Sequence, residues 1–257
     1  MKLGTLVRET RDQEWLIPRF RKYLRNRNVS VEAEHAKAII DRPERDRSIG
    51  WSASSAGSCL RAQLYRRRNA PSTKPDDRSM AIFHEGHYVH MKHQAAGLTA
   101  GYLADVEVPV EIPDLNVQGT MDAKDSEGLI TELKSINPYG FSSINQFGPK
   151  WEHLRQVNAY MLASGIDKAR ILYENKATQE MREFLVTMDT ALVAANVGDW
   201  KELNEHDKEG TKPPMLLECQ DQEGKFKWCP FAEECLKDHQ AESPRLRIRR
   251  TSSSGDD

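Results

Sequence analysis

Apolar residues recur at helical spacing through residues 8–40, where Arg, Glu and Leu dominate, and a loop containing Pro43 then leads to Trp51 and the small-residue run Ser52–Ser58. After Cys59 the segment Leu60–Arg68 predicts a short basic helix, followed by a loop through Pro71 and Pro75, and a longer helix follows from Ser79 to about Leu98. The period then changes. Val106, Val108, Val110 and Ile112 alternate as in a strand, and two further strands, Val117–Ala123 and Leu129–Ile136, flank the polar turn Lys124–Gly128. A helix over Trp151–Ser164, strands near Arg170–Glu174 and Glu183–Met188, and a helix around Ala191–Asn204 continue the alternation. From about Glu242 the chain is basic and then Ser-rich without apolar periodicity, which predicts a disordered tail.

This order is that of an α/β protein with a central sheet flanked by helices. The expected domains are a helical region over 1–50, a compact domain over 51–241 and the tail over 242–257. At 257 residues and 38% hydrophobic content the chain can bury one substantial core. The net charge of −2 excludes a globally basic polyanion binder, so any nucleic-acid contact has to come from local positive charge. Nothing approaches the roughly 20 apolar residues of a membrane span, and the amino terminus has no signal-like apolar core, so cytoplasm, or host cytoplasm for a viral protein, is the default.

The second hairpin strand places Ile130, Glu132, Lys134 and Ile136 on one face and Leu129, Thr131, Leu133 and Ser135 on the other. Strand pairing can bring Asp122, at the end of the preceding strand, close to Glu132. Two converging carboxylates attract a hard cation such as Mg²⁺ or Mn²⁺, which can polarise a phosphodiester and activate water. Lys134 adds a positive charge that could orient or deprotonate that water or stabilise the transition state. Taken alone, these three residues also fit an exposed cross-strand charge pattern beside a turn.

Gly119-Thr-Met-Asp122 followed by Glu132-Leu-Lys134 resembles the core motif of the PD-(D/E)XK nuclease superfamily, with Met121 where the name-giving proline would stand. Gly86-His-Tyr-Val-His90 is similar to the upstream GxxxH element of its RecB-like branch, and Gln156-Val-Asn-Ala-Tyr160 to the downstream QxxxY element. The resemblance implies a restriction-endonuclease-like core. It also implies that His90, Asp122, Glu132 and the carbonyl of Leu133 ligate the metal, with Gln156 and Tyr160 supporting the site.

His84, His87, His90 and His93 recur every third residue, which invites a zinc reading. At about 100° per residue that spacing drifts around a helix, so four such side chains cannot converge on one ion. His84 and His93 are therefore expected at the surface or in packing, and His87 stays open. Cys59 stands apart from Cys219, Cys229 and Cys235, which fall in a polar, loop-like segment, and four thiolates suit zinc or an iron–sulfur cluster. Their split arrangement is similar to that of iron–sulfur RecB-like nucleases, including CRISPR-associated adaptation exonucleases and viral relatives. That resemblance implies a [4Fe–4S] cluster clamping the ends of the domain, with zinc as the alternative.

The expected activity is metal-dependent exonucleolytic hydrolysis of DNA, single-stranded or with ends, in recombination, repair or DNA processing. The alternatives are a structure-specific endonuclease using the same residues and a nonenzymatic nucleic-acid-binding module. DNA is the expected partner, with DNA-processing or recombination proteins as further ones, and no membrane. Arg61, Arg66, Arg67, Arg68 and Lys176 are candidate phosphate contacts. Phe141, Phe147 and Trp151, in the expected loop after the catalytic strand, could stack on unpaired bases.

Overall fold

Alternating burial along adjacent strands sets the layers of this protein, for which a computed structural model describes residues 14–42, 50–220, 222 and 224–242. The expected Pro43 loop and the tail beyond Glu242 lie outside the described residues. The sheet comprises β1 (Trp51–Ser52), β2 (Leu103–Ile112), β3 (Val117–Asp125), β4 (Ile130–Ile136), β5 (Lys168–Asn175) and β6 (Met181–Thr187). It runs in the order β1-β3-β4-β5-β6, with β2 also on β3, and it is mixed: β4 and β5 are parallel, whereas β2–β3, β3–β4 and β5–β6 are antiparallel.

On β4 and β5, Ile130, Ile136, Ala169, Ile171 and Tyr173 enter one apolar cluster, while Leu133 and Leu172 enter the other. Strands buried on both faces need helices on both. α5 (Pro138–Phe147), α6 (Trp151–Ser164) and α7 (Thr190–Glu209) supply Phe141, Ile144, Val157, Tyr160, Trp200 and Leu203 to the first cluster, as does Leu64 of α3 (Leu60–Arg67). α1 (Leu16–Arg25) and α4 (Asp77–Ala100) supply Leu16, Ile17, Phe20, Tyr23 and Ala96 to the second, with α2 (Val29–Ile40) lying against α4. α8 (Ala232–Glu242) ends the described chain.

Three expectations change. The segment after β4, expected as loop, forms α5: the Asn137 side chain accepts from the Gly140 N–H at 2.7 Å, and Pro138 takes the first-turn position where no N–H is required. Cys235, expected in a loop-like stretch, lies on α8. Asp122 does not end its strand, because β3 continues to Asp125.

The pairing around Asp122 is incomplete, and this opens the sheet. β2 follows one edge of β3, so β1 at Val117 and Gln118 and β4 at Ala123 and Lys124 must share the other edge. Between them, among the described residues, no strand pairs with Met121 or Asp122 on that edge. Gly119 fits this point because an added Cβ would stand 2.8 Å from the Ala53 Cβ and 3.1 Å from Tyr160 Cε1. A side chain there would push away the helix that carries Tyr160.

Candidate active site

Where the β3–β4 ladder stops, the Asp122 carboxylate takes its place: Oδ2 accepts the Leu133 N–H at 2.7 Å. Its Oδ1 lies 3.4 Å from His90 Nδ1, which α4 delivers one residue after Val89, the first buried position of that helix. On β4, Glu132 is 1% exposed and its Oε1 pairs with Lys134 Nζ at 2.6 Å. Lys134 Nζ also donates to Gln156 Oε1 at 2.9 Å, and Gln156 Nε2 donates to the Tyr160 hydroxyl at 3.0 Å. Gln156 and Tyr160 are four residues apart on α6, so one helical face carries both to the hairpin. The expected residues on α4, β3, β4 and α6 thus come together. It is the Leu133 N–H that reaches Asp122.

The charges interlock. Burial disfavours ionisation of Asp122, but His90, Lys134 and the Leu133 N–H hold its carboxyl below the usual range. Burial and the neighbouring Asp122 charge push Glu132 up to about 7 against the pull of Lys134 and His90. Burial opposes the His90 imidazolium, yet Asp122 and then Glu132 raise it to about 9. Burial likewise opposes the Lys134 ammonium, and Glu132 and Asp122 outweigh it, raising that group above its ordinary value. At neutral pH two cations face the acidic pair.

Among the described residues no group of three or more His, Cys, Asp or Glu side chains forms a ready-made metal cage. Mg²⁺ does not require one: it is commonly held by one or two carboxylates with water and substrate phosphate completing its shell. Glu132 Oε2 is buried without a hydrogen-bond partner among the described residues, beside a second carboxylate, and this donor set fits a hard cation.

Sequence reasoning passed over Gln94, Glu107 and His153. Gln94 is 1% exposed, lies one helical turn beyond His90 and contacts both Glu107 and Asp122. His153 on α6 pairs through Nδ1 with the Tyr173 hydroxyl at 2.8 Å, and burial, Lys134 and Lys150 lower it to about 3, so it is neutral. The i+4 spacing from His90 was the available signal for Gln94; nothing local pointed to Glu107. Of the histidine row, His93 is 3% exposed, with Nε2 2.6 Å from Glu174 Oε2 and its ring on Phe20, whereas His84 and His87 are exposed. Gly86 needs no packing explanation, since a Cβ there meets open space.

Several expected phosphate contacts are internal ties. Arg61, 1% exposed, donates to the Tyr65 hydroxyl and the Pro213 carbonyl and lies 3.9 Å from Asp238. Arg67 pairs with Asp207 at 2.8 Å and lies over Trp51, and Arg68 bonds the carbonyls of His206 and Thr211. Arg66 stays exposed. Phe141 is buried in the core and offers no stacking surface, whereas Phe147 and Trp151 are exposed.

Cys59, Cys219, Cys229 and Cys235 form no disulfide, and each is half-buried. Burial raises the Cys235 thiol to about 11, and Cys59, Cys229 and Cys219 lie close enough to add to that shift. Cys59 is raised by burial too, with Cys229 as a neighbour. Among the described residues, however, no three of these cysteines form a group that could hold a metal ion.

No protein-family model matches the chain, and no curated protein matches it. Solved structures with some likeness include SSO0001, at 14% identity over 80% of this chain and 94% of that one, with a TM-score of 0.48. The alkaline exonuclease LHK-Exo from Laribacter hongkongensis in complex with dAMP matches at 14% identity over 70% of this chain and 93% of that one, with a TM-score of 0.49. A phage-related exonuclease from Haemophilus somnus 129PT matches at 12% identity over 59% of this chain and 82% of that one, with a TM-score of 0.40. Likenesses this remote establish neither family nor activity.

Proposed function

We propose that this chain is a metal-dependent deoxyribonuclease with a restriction-endonuclease-like core, acting as an exonuclease on single-stranded or end-containing DNA. The observation that carries this reading is Lys134 Nζ held between Glu132 and Gln156 beside the His90–Asp122 pair. The PD-(D/E)XK resemblance of the same residues supports it. Asp122 and Glu132 would hold Mg²⁺ or Mn²⁺, with the Leu133 carbonyl and deprotonated His90 as further ligands. Such an ion supplies polarisation of the phosphodiester and a more acidic bound water.

The protein's own groups do the rest. Lys134, raised above its ordinary value, remains an ammonium, so it suits stabilising the negative charge that grows on phosphate rather than taking a proton. Gln156, oriented by Tyr160, fixes where that ammonium points. His90 must release its proton before its nitrogen can serve as a ligand, so metal uptake at neutral pH is accompanied by proton release.

End-labelled linear and circular single-stranded DNA, incubated with Mn²⁺ or with chelator, tests the reading. Linear DNA should be degraded, circles spared, and chelator or Asp122→Ala should abolish cleavage. Cutting of circles would instead make it an endonuclease, and binding of both substrates without cleavage a nonenzymatic module. At the four cysteines we place a [4Fe–4S] cluster, with zinc as the alternative. Anaerobic purification should give brown protein; colourless protein with stoichiometric zinc would replace the cluster.

A further inference from the structure

The backbone at Glu107 is in the left-handed region, with φ of 51°, inside a strand. A non-glycine residue adopts this conformation only where surrounding contacts impose it, and such positions concentrate at functional sites. The distortion falls opposite Asp122. The β2–β3 ladder passes from Val106–Ala123 to Val108–Met121 without a Glu107–Asp122 rung. Among the described residues Asp122 thus has neither this rung on one edge of β3 nor a strand partner on the other.

Gln94 fills the break. Its Nε2 donates to Glu107 Oε1 at 2.6 Å and to the Asp122 carbonyl at 2.8 Å. Both partners are acceptors, so the nitrogen of the amide must face them. Gln94 is 1% exposed, which denies water as a substitute donor. It stands four residues after His90, so one face of α4 grips Asp122 twice: His90 at the carboxylate and Gln94 at the main chain.

We propose that Gln94, oriented by Glu107, is a positioning residue that fixes the Asp122 backbone where the sheet leaves it unpaired. It thereby sets the direction of the Asp122 carboxylate toward bound metal and substrate. This inference rests on the nuclease reading above. Gln94→Glu sets a carboxylate against two acceptors while keeping size and shape, and Glu107→Ala removes the orienting acceptor from a half-buried position. Glu107→Gln keeps that acceptor.

The experiment combines steady-state cleavage of labelled single-stranded DNA, Mn²⁺ binding by calorimetry and thermal unfolding. For Gln94→Glu and Glu107→Ala we expect kcat and Mn²⁺ affinity each to fall ~10–100-fold, the usual effect of losing a residue that orients a metal ligand. KM for DNA should stay within about twofold, because the DNA-binding surface is untouched. Glu107→Gln should recover most of the loss seen in Glu107→Ala. If Gln94→Glu fails to fold, the two Glu107 variants decide the matter alone. Kinetics and Mn²⁺ affinity matching wild type, or losses that only follow the unfolded fraction and are equal in Glu107→Gln and Glu107→Ala, would overturn the proposal. If wild type cleaves and Asp122→Ala does not, such a result removes the Gln94 role alone. If wild type neither cleaves nor binds Mn²⁺, the nuclease reading falls and the inference with it.

Discussion

Lys134 is the residue on which the proposed chemistry of the site turns. Its ammonium pairs with Glu132 and opposes the burial and the Asp122 charge that push that carboxyl up to about 7, and Gln156 holds it in place. Lys134→Ala should lower kcat by roughly 10²–10³-fold in the labelled-DNA assay, as for loss of one preorganised charge-stabilising group, with DNA retention on filters preserved. Lys134→Arg should not restore the rate, because a planar fork cannot replace a point charge between two oxygens. His90 gives a pH signature of known sign. Its folded value of about 9 lies above the ordinary 6.5, so its stabilisation is complete below about 6.5 and is lost as pH rises through about 9. In chelator, His90→Gln should therefore cost about 2 kcal/mol near pH 6, after allowing for solvent at the ring, and almost nothing near pH 10. Denaturant titrations at the two pH values would show it.

Elements position these groups through a few local devices. The close approach of α6 to β3 depends on Gly119, against which Tyr160 and Ala53 are packed. Gly119→Val should cost roughly 1–3 kcal/mol by overpacking and slow cleavage further by shifting Tyr160, checked by unfolding and by kcat together. α5 begins at the Asn137 cap, and Asn137→Ala should cost about 1 kcal/mol of stability in denaturant titration. That helix was legible only through its ends: Asn137-Pro138 is a start signal and Gly148 a stop, but Phe141 and Ile144 alone make too short an apolar stripe to reveal it. The i,i+4 pair Gln156 and Tyr160 and the alternation of Glu132 with Leu133 were legible because each depends only on the period of its own element.

At the scale of the whole molecule, distant segments close on one another through the arginines of α3, and the proposed cysteine cluster would add to them. Arg61 ties the region of Cys59 to Pro213 and Asp238, near the carboxy-terminal end of the described chain. Cys59→Ser should release the 217–242 segment to limited proteolysis before the sheet is cut, whereas a purely thiol-packed cluster would leave the digestion pattern unchanged. Among the described residues no helix is long and apolar enough to cross a membrane.

The sequence by itself determined the elements whose residues repeat with a clear period, the face that Glu132 and Lys134 share, and the set of residues on α4, β3, β4 and α6 that converge. Those properties are local or are carried by motif order. Only the tertiary structure decided that β3–β4 pairing stops beside Asp122, that Glu107 takes a left-handed backbone there, and that Gln94 bridges the gap. It also decided that Arg61 is buried in internal contacts. The physical reason is the same in each case. Which strand edge is left unpaired, and which buried polar group must satisfy it, is settled by packing between segments far apart in the chain, and no local period records that packing.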